Sequence, residues 1–130
     1  MCSSKRRFSR EFDTRIAIAR SEQKFRAYKC PHCDGWHLYK SKNLSVIEER
    51  MPPGSAEKSH YHEHAEQVFY VLSGIASFEV EGDKLIVMAR ESICIKPGIV
   101  HKIYNLTDQD VEFLVISAPP SEGDRINIEL

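Results

Sequence analysis

His60-Tyr61-His62-Glu63-His64-Ala65-Glu66-Gln67-Val68-Phe69-Tyr70-Val71-Leu72-Ser73-Gly74 sets the terms for the rest of the chain. Three histidines fall within five positions, and an apolar run closed by glycine follows at once. Side chains at i and i+2 of a strand share a face, so His60 and His62 reach toward one point. About forty residues on, Pro97-Gly98-Ile99-Val100-His101 and then Asn105 supply a third, distant histidine. Local spacing rarely gives a metal ion enough ligands, and His101 makes up the shortfall.

The two elements resemble the paired motifs of the cupin family. Five residues separate Gly54 from His60, His60-Tyr61-His62 is the His-x-His pair, and Gly74 closes the first motif. The acidic ligand of that motif has two candidates. Six residues separate Gln67 from Gly74, and we prefer it because the strand Val68–Gly74 fixes its face. Glu66 has the correct three-residue spacing from His62 and stays as the alternative. In the second motif Gly98, His101 and Asn105 match, whereas Lys96 and Arg90 replace the usual Pro and Gly. The resemblance covers residues 42–119. It implies an all-β jelly-roll barrel, and it says little about the reaction, since one fold hosts many chemistries.

The pattern of the chain from Leu44 onward agrees with that fold. Short apolar strands recur about every ten residues, with turn residues between them, as in a barrel or sandwich. They are expected at Leu44–Arg50, His60–His62, Val68–Leu72, Ala76–Val80, Lys84–Met88, Ile93–Ile95, His101–Asn105 and Val111–Ile116. Glu81-Gly82-Asp83 reads as a hairpin turn, Pro119, Pro120 and Gly123 end the last long strand, and Asp124–Leu130 reads as a final edge strand. Phe69, Val71, Phe78, Ile95, Ile103 and Val115 are expected inside. Cys94, in an apolar strand, reads as a small buried hydrophobe. Apolar residues on both faces of Val68–Leu72 leave an outer patch, and the family resemblance implies that a homodimer covers it.

The first forty-one residues differ in character. Residues 1–29 hold nine Lys/Arg against three Asp/Glu, a net of +6, and the remainder holds nine against sixteen, a net of −7. We divide the chain into a basic unit, 1–41, and a barrel, 42–130. Asp13-Thr14 caps an expected helix over 16–25. Cys30-Pro31-His32-Cys33-Asp34-Gly35-Trp36-His37 follows, a turn between two short strands. A two-residue gap lets Cys30 and Cys33 face one zinc ion. His37 is a natural third ligand, with His32 as its alternative, and Cys2 is the candidate fourth. The run resembles small bacterial Cys…Cys-Pro-x-Cys-x-x-Trp-His modules, so an α+β unit with structural Zn is expected, because so few residues make little core.

At the barrel, His60, His62, Gln67 and His101 are the expected ligands of a divalent transition metal (Fe, Mn, Ni or Zn), imidazole being a borderline donor that suits Fe, Ni, Cu and Zn. Three imidazoles and an amide are all neutral, so the ion keeps its full charge and favours an anionic oxygen ligand. His64 is expected at the barrel mouth, outside the ligand set. Glu57 and Glu66 are the candidate general bases. Two functions follow. One is dioxygenase- or isomerase-type chemistry on a small oxygen-containing molecule. The other is a non-catalytic small-ligand sensor whose basic unit contacts nucleic acid or a protein partner. At 42% hydrophobic and 28% charged, with no apolar run long enough to span a bilayer and no secretory leader, the chain reads as cytoplasmic and without a membrane partner.

Overall fold

The computed structural model describes residues 28–29 and 35–128. Cys2, Cys30, His32 and Cys33 lie outside the described residues, as does the expected helix over 16–25. Eleven strands run through the described chain: β1 (Tyr28–Lys29), β2 (Trp36–Lys40), β3 (Ser45–Met51), β4 (His60–His62), β5 (Glu66–Ser73), β6 (Ile75–Val80), β7 (Asp83–Met88), β8 (Ser92–Ile95), β9 (His101–Tyr104), β10 (Val111–Ala118) and β11 (Arg125–Asn127). They form two sheets, ordered β1-β2-β3-β10-β5-β8 and β11-β4-β9-β6-β7, and every pairing is antiparallel. This is the all-β double-sheet arrangement of a jelly roll. Among the described residues no helix is long and apolar enough to cross a membrane.

Alternation drives the packing. Along β10, residues 111, 113, 115 and 117 are buried and those between them half-buried. Its register sets Phe113 and Val115 opposite Val71 and Phe69 of β5 on one side, and opposite Glu49 and Ile47 of β3 on the other. Phe69 meets the ring of Phe78 from the facing sheet at 5.1 Å between centroids, in an edge-on arrangement that aromatic pairs favour. All six residues expected inside (Phe69, Val71, Phe78, Ile95, Ile103, Val115) are buried.

Cys94 is a correction. It is exposed, because β8 is the edge of its sheet and its alternation turns Ile95 inward and Cys94 out. The strands expected around the Cys-Pro-His-Cys turn are present, and β2 pairs with β3, so it extends the barrel sheet. The hairpin at Glu81-Gly82 has both residues at positive φ, 50° and 86°, the backbone of a two-residue turn matched to sheet twist. Arg90, standing where the motif has glycine, also adopts a positive φ of 72°.

Candidate metal centre

β4 alternates buried, half-buried, buried, which turns His60 and His62 inward together. β9 lies beside it with His101 directly opposite His60. The three rings cluster with centroids 4.4 Å apart for His60–His101, 5.1 Å for His60–His62 and 5.8 Å for His62–His101. One ring nitrogen of each lies within 4.8 Å of the other two, close enough to share an ion.

Hydrogen bonds fix which nitrogens face inward. His60 Nδ1 donates to the Lys58 carbonyl at 2.7 Å, and His101 Nδ1 donates to the Ile99 carbonyl at 2.9 Å. A carbonyl only accepts, so each Nδ1 carries the proton and each Nε2 keeps its lone pair. This is how proteins orient metal-binding imidazoles. His101 Nε2 and His62 Nδ1 are buried with no hydrogen-bond partner. Burial lowers the pKa of all three rings, bringing His60 to about 4, and so favours the neutral imidazole in each. Three neutral imidazoles with unshared lone pairs on one point fit a divalent transition metal.

The two motif candidates on β5 part company. Gln67 is buried, and its Nε2 donates to Ser117 Oγ at 3.0 Å, while its Oε1 has no partner. With the nitrogen tied to β10, the amide oxygen is the atom left to ligate. Glu66 faces the other way, where its carboxylate accepts from Lys96 Nζ and from Cys94 Sγ. The sequence left the choice open; the strand's alternation resolves which side chain lies inside. His64 is exposed, as expected, and its amide donates to the Asp124 carboxylate. Asn105 is structural: Nδ2 donates to the Met51 and Gln109 carbonyls, and Oδ1 accepts from the amide and hydroxyl of Thr107. His37 sits on β2, opposite Ile47.

A cavity of about 540 Å³ opens onto the centre, with His60, His62, Gln67 and Phe69 among its walls. Glu57 and Arg125 line it as well. Glu57 Oε1 accepts the Ile103 amide at 3.2 Å and lies 3.9 Å from His60 Nε2, and its Oε2 lies 3.8 Å from the Arg125 guanidinium. Burial raises the Glu57 carboxyl to about 7, against the pull of Arg125. Glu57, one of the two candidate bases, reaches the cavity. Glu49 and Arg125 were not anticipated. Period-two counting from Ile47 could have found Glu49, since Ile47, Glu49 and Met51 all line the cavity.

Comparison with known proteins agrees with this geometry. Residues 47–117 match the family model described as "Cupin domain". An uncharacterized protein of Methanocaldococcus jannaschii is 31% identical over 84 residues, 65% of this chain and 67% of that protein. The oxalate-binding protein of Thermotoga maritima is 31% identical over 67 residues, which are 52% of this chain and about half, 55%, of that one. An uncharacterized double-stranded β-helix protein of Klebsiella pneumoniae superposes with a TM-score of 0.65 at 24% identity, over 72% of this chain and 77% of its own, a likeness of fold alone.

Proposed function

The chain belongs to the cupin family, and on that premise we propose that it is a metal-dependent small cupin acting on a small oxygen-containing ligand. His60, His62, His101 and Gln67 hold one divalent transition metal in the barrel. The observation that carries the reading is the convergence of three buried imidazoles, two of them with Nδ1 pinned by carbonyls and Nε2 left unshared. The bound ion supplies Lewis acidity toward a ligand oxygen. The chain's own residues shape what arrives. Neutral donors leave the ion its full charge, which favours an anionic oxygen, and the Arg125 cation at the cavity draws anions toward it. Apolar walls such as Phe69 and Val115 exclude water around the ligand. Glu57, within the same cavity, is placed to exchange a proton with a bound molecule, which suits isomerase-type chemistry.

Elemental analysis of the purified full chain tests this. About one transition-metal equivalent in the barrel is expected, lost in His60→Ala and in His101→Ala with the fold retained by circular dichroism. Stoichiometric metal in both variants refutes the site. The Cys30-Cys33 spacing supports a second, structural zinc with His37 and Cys2; the Cys30→Ser, Cys33→Ser double variant should then lose one zinc and keep the barrel metal. A homodimer also belongs to this reading, supported by the exposed Leu85, Ile86 and Met88 along the edge strand β7.

A further inference from the structure

Glu49 is a carboxyl in an apolar row. It shares the inner face of β3 with Ile47 and Met51, and its cross-strand neighbour on β10 is the core residue Phe113. Only 5% of its surface is exposed, and its Oε2 has no hydrogen-bond partner. A Leu or Met would fill that position without leaving a polar atom unsatisfied, so packing does not account for the carboxyl. Buried polar atoms are nearly always satisfied, and one that is unsatisfied in the wall of a cavity calls for a partner inside that cavity. We propose that Glu49 is the residue that selects the ligand: its carboxyl takes a hydroxyl of a small hydroxylated carboxylate whose anionic oxygen sits at the three-histidine centre. The proposal rests on the metal-centre reading above.

The rest of the cavity fits this chemistry. The neutral ligand set and Arg125 ask for an anionic group on the molecule. Glu49 and Glu57, two carboxyls on the cavity wall, oppose a second carboxylate there whenever either is ionised. A hydroxyl suits Glu49 in either protonation state, because a carboxylate accepts its proton and a carboxylic acid can also donate to its oxygen. The favoured class is therefore hydroxy acids carrying hydroxyls beyond the metal-binding end, in preference to bare dicarboxylates.

The experiment uses the full metal-loaded chain and calorimetric titration with matched pairs: glycerate against lactate, and gluconate against 2-hydroxyhexanoate. Both members of a pair present the same α-hydroxycarboxylate to the ion, so only the additional hydroxyls differ. Succinate serves as the bare dicarboxylate. In at least one pair the polyhydroxylated member should bind roughly tenfold tighter, the worth of one buried hydrogen bond. The near-isosteric Glu49→Met and the smaller Glu49→Leu should erase that preference, and Glu49→Gln should restore part of it, all with metal content unchanged. No preference in the wild type, a preference that survives in Glu49→Met, or succinate as the tightest ligand overturns the proposal while leaving the metal centre intact. A wild-type chain that takes up no metal removes the metal-centre reading itself, and this inference with it.

Discussion

Gly74 closes the first motif because the backbone leaves no room for anything larger. Its φ is +84°, and a Cβ built there would lie 2.5 Å from the Asp110 carbonyl oxygen and 3.1 Å from Val111 Cα. Both are main-chain atoms at the entry to β10, so no side-chain rotation relieves the contact. Gly82 provides the control: its φ is +86°, yet nothing lies within 4 Å of its Cβ position. Alanine at either site incurs the left-handed backbone penalty of about 1–2 kcal/mol, less about 0.4–1 kcal/mol from the stiffer unfolded chain. Gly82→Ala should therefore destabilise by about 1 kcal/mol. Gly74→Ala adds the overpacking term, about 1–3 kcal/mol, for a total of roughly 2–4 kcal/mol. For a domain of this size that corresponds to a fall in Tm of roughly 10 °C or more for Gly74→Ala, against about 4 °C for Gly82→Ala. Thermal unfolding followed by circular dichroism on both variants decides. Equal shifts would show that backbone conformation alone explains the glycine and that the approach to Asp110 costs nothing.

Asn105→Ala removes four hydrogen bonds at a buried site. It should cost about 3 kcal/mol in denaturant unfolding, chiefly from the stranded Met51 carbonyl and Thr107 amide; a loss under 1 kcal/mol would mean that water replaces the side chain. Ser117→Ala frees Gln67 Nε2 and with it the orientation of the amide oxygen, so metal affinity by competitive chelation should fall about 10- to 100-fold, and an unchanged affinity would take Gln67 out of the ligand set. In the metal-free protein, Glu57 has its folded pKa raised to about 7 from 4.5. Its contribution to stability is then fully present below 4.5 and lost as pH rises through about 7. Relative to wild type, Glu57→Gln should therefore gain up to about 3 kcal/mol between pH 4.5 and pH 8, and a difference that does not change with pH would show the carboxyl to be solvated.

Much of the centre was legible because a strand's period is rigid. His60 and His62 could be paired from the strand period, His101 joined them through the resemblance to the second cupin motif, and the inner row of Phe69, Val71 and Val115 followed from alternation. Gln67 and Glu66 are adjacent and both within reach of a loosely counted motif; the face set by Val68–Gly74 favoured Gln67, and the alternation of β5 buries it and turns Glu66 away. Cys94 misled because an apolar strand read by composition looks buried on both faces, whereas β8 has a sheet neighbour on one side only. Glu49 was hidden for the opposite reason: it stands in the charged run Glu48-Glu49-Arg50, which by composition reads as facing solvent. Arg125 reaches the cavity only because β11 lies beside β4, a long-range pairing that no local pattern records. Arg90 shows the converse: the motif's missing glycine left the conformation in place, with φ at 72° on a residue that adopts it at a cost.

The strand bearing His60 and His62 touches β9 through one residue pair but β11 through three, Arg125–His62, Ile126–Tyr61 and Asn127–His60. The Asp124 carboxylate adds a clasp on the amides of His64 and Ala65 at 3.0 and 2.9 Å, and the Ile128 amide another on the Ser59 carbonyl. Seating of β11 and ligation by β4 are thereby two readings of one equilibrium, since whatever binds the imidazoles holds the ladder closed. The amide protons of residues 125–127, on a strand that supplies no metal ligand, thus become slow or fast exchangers according to whether the neighbouring centre is filled.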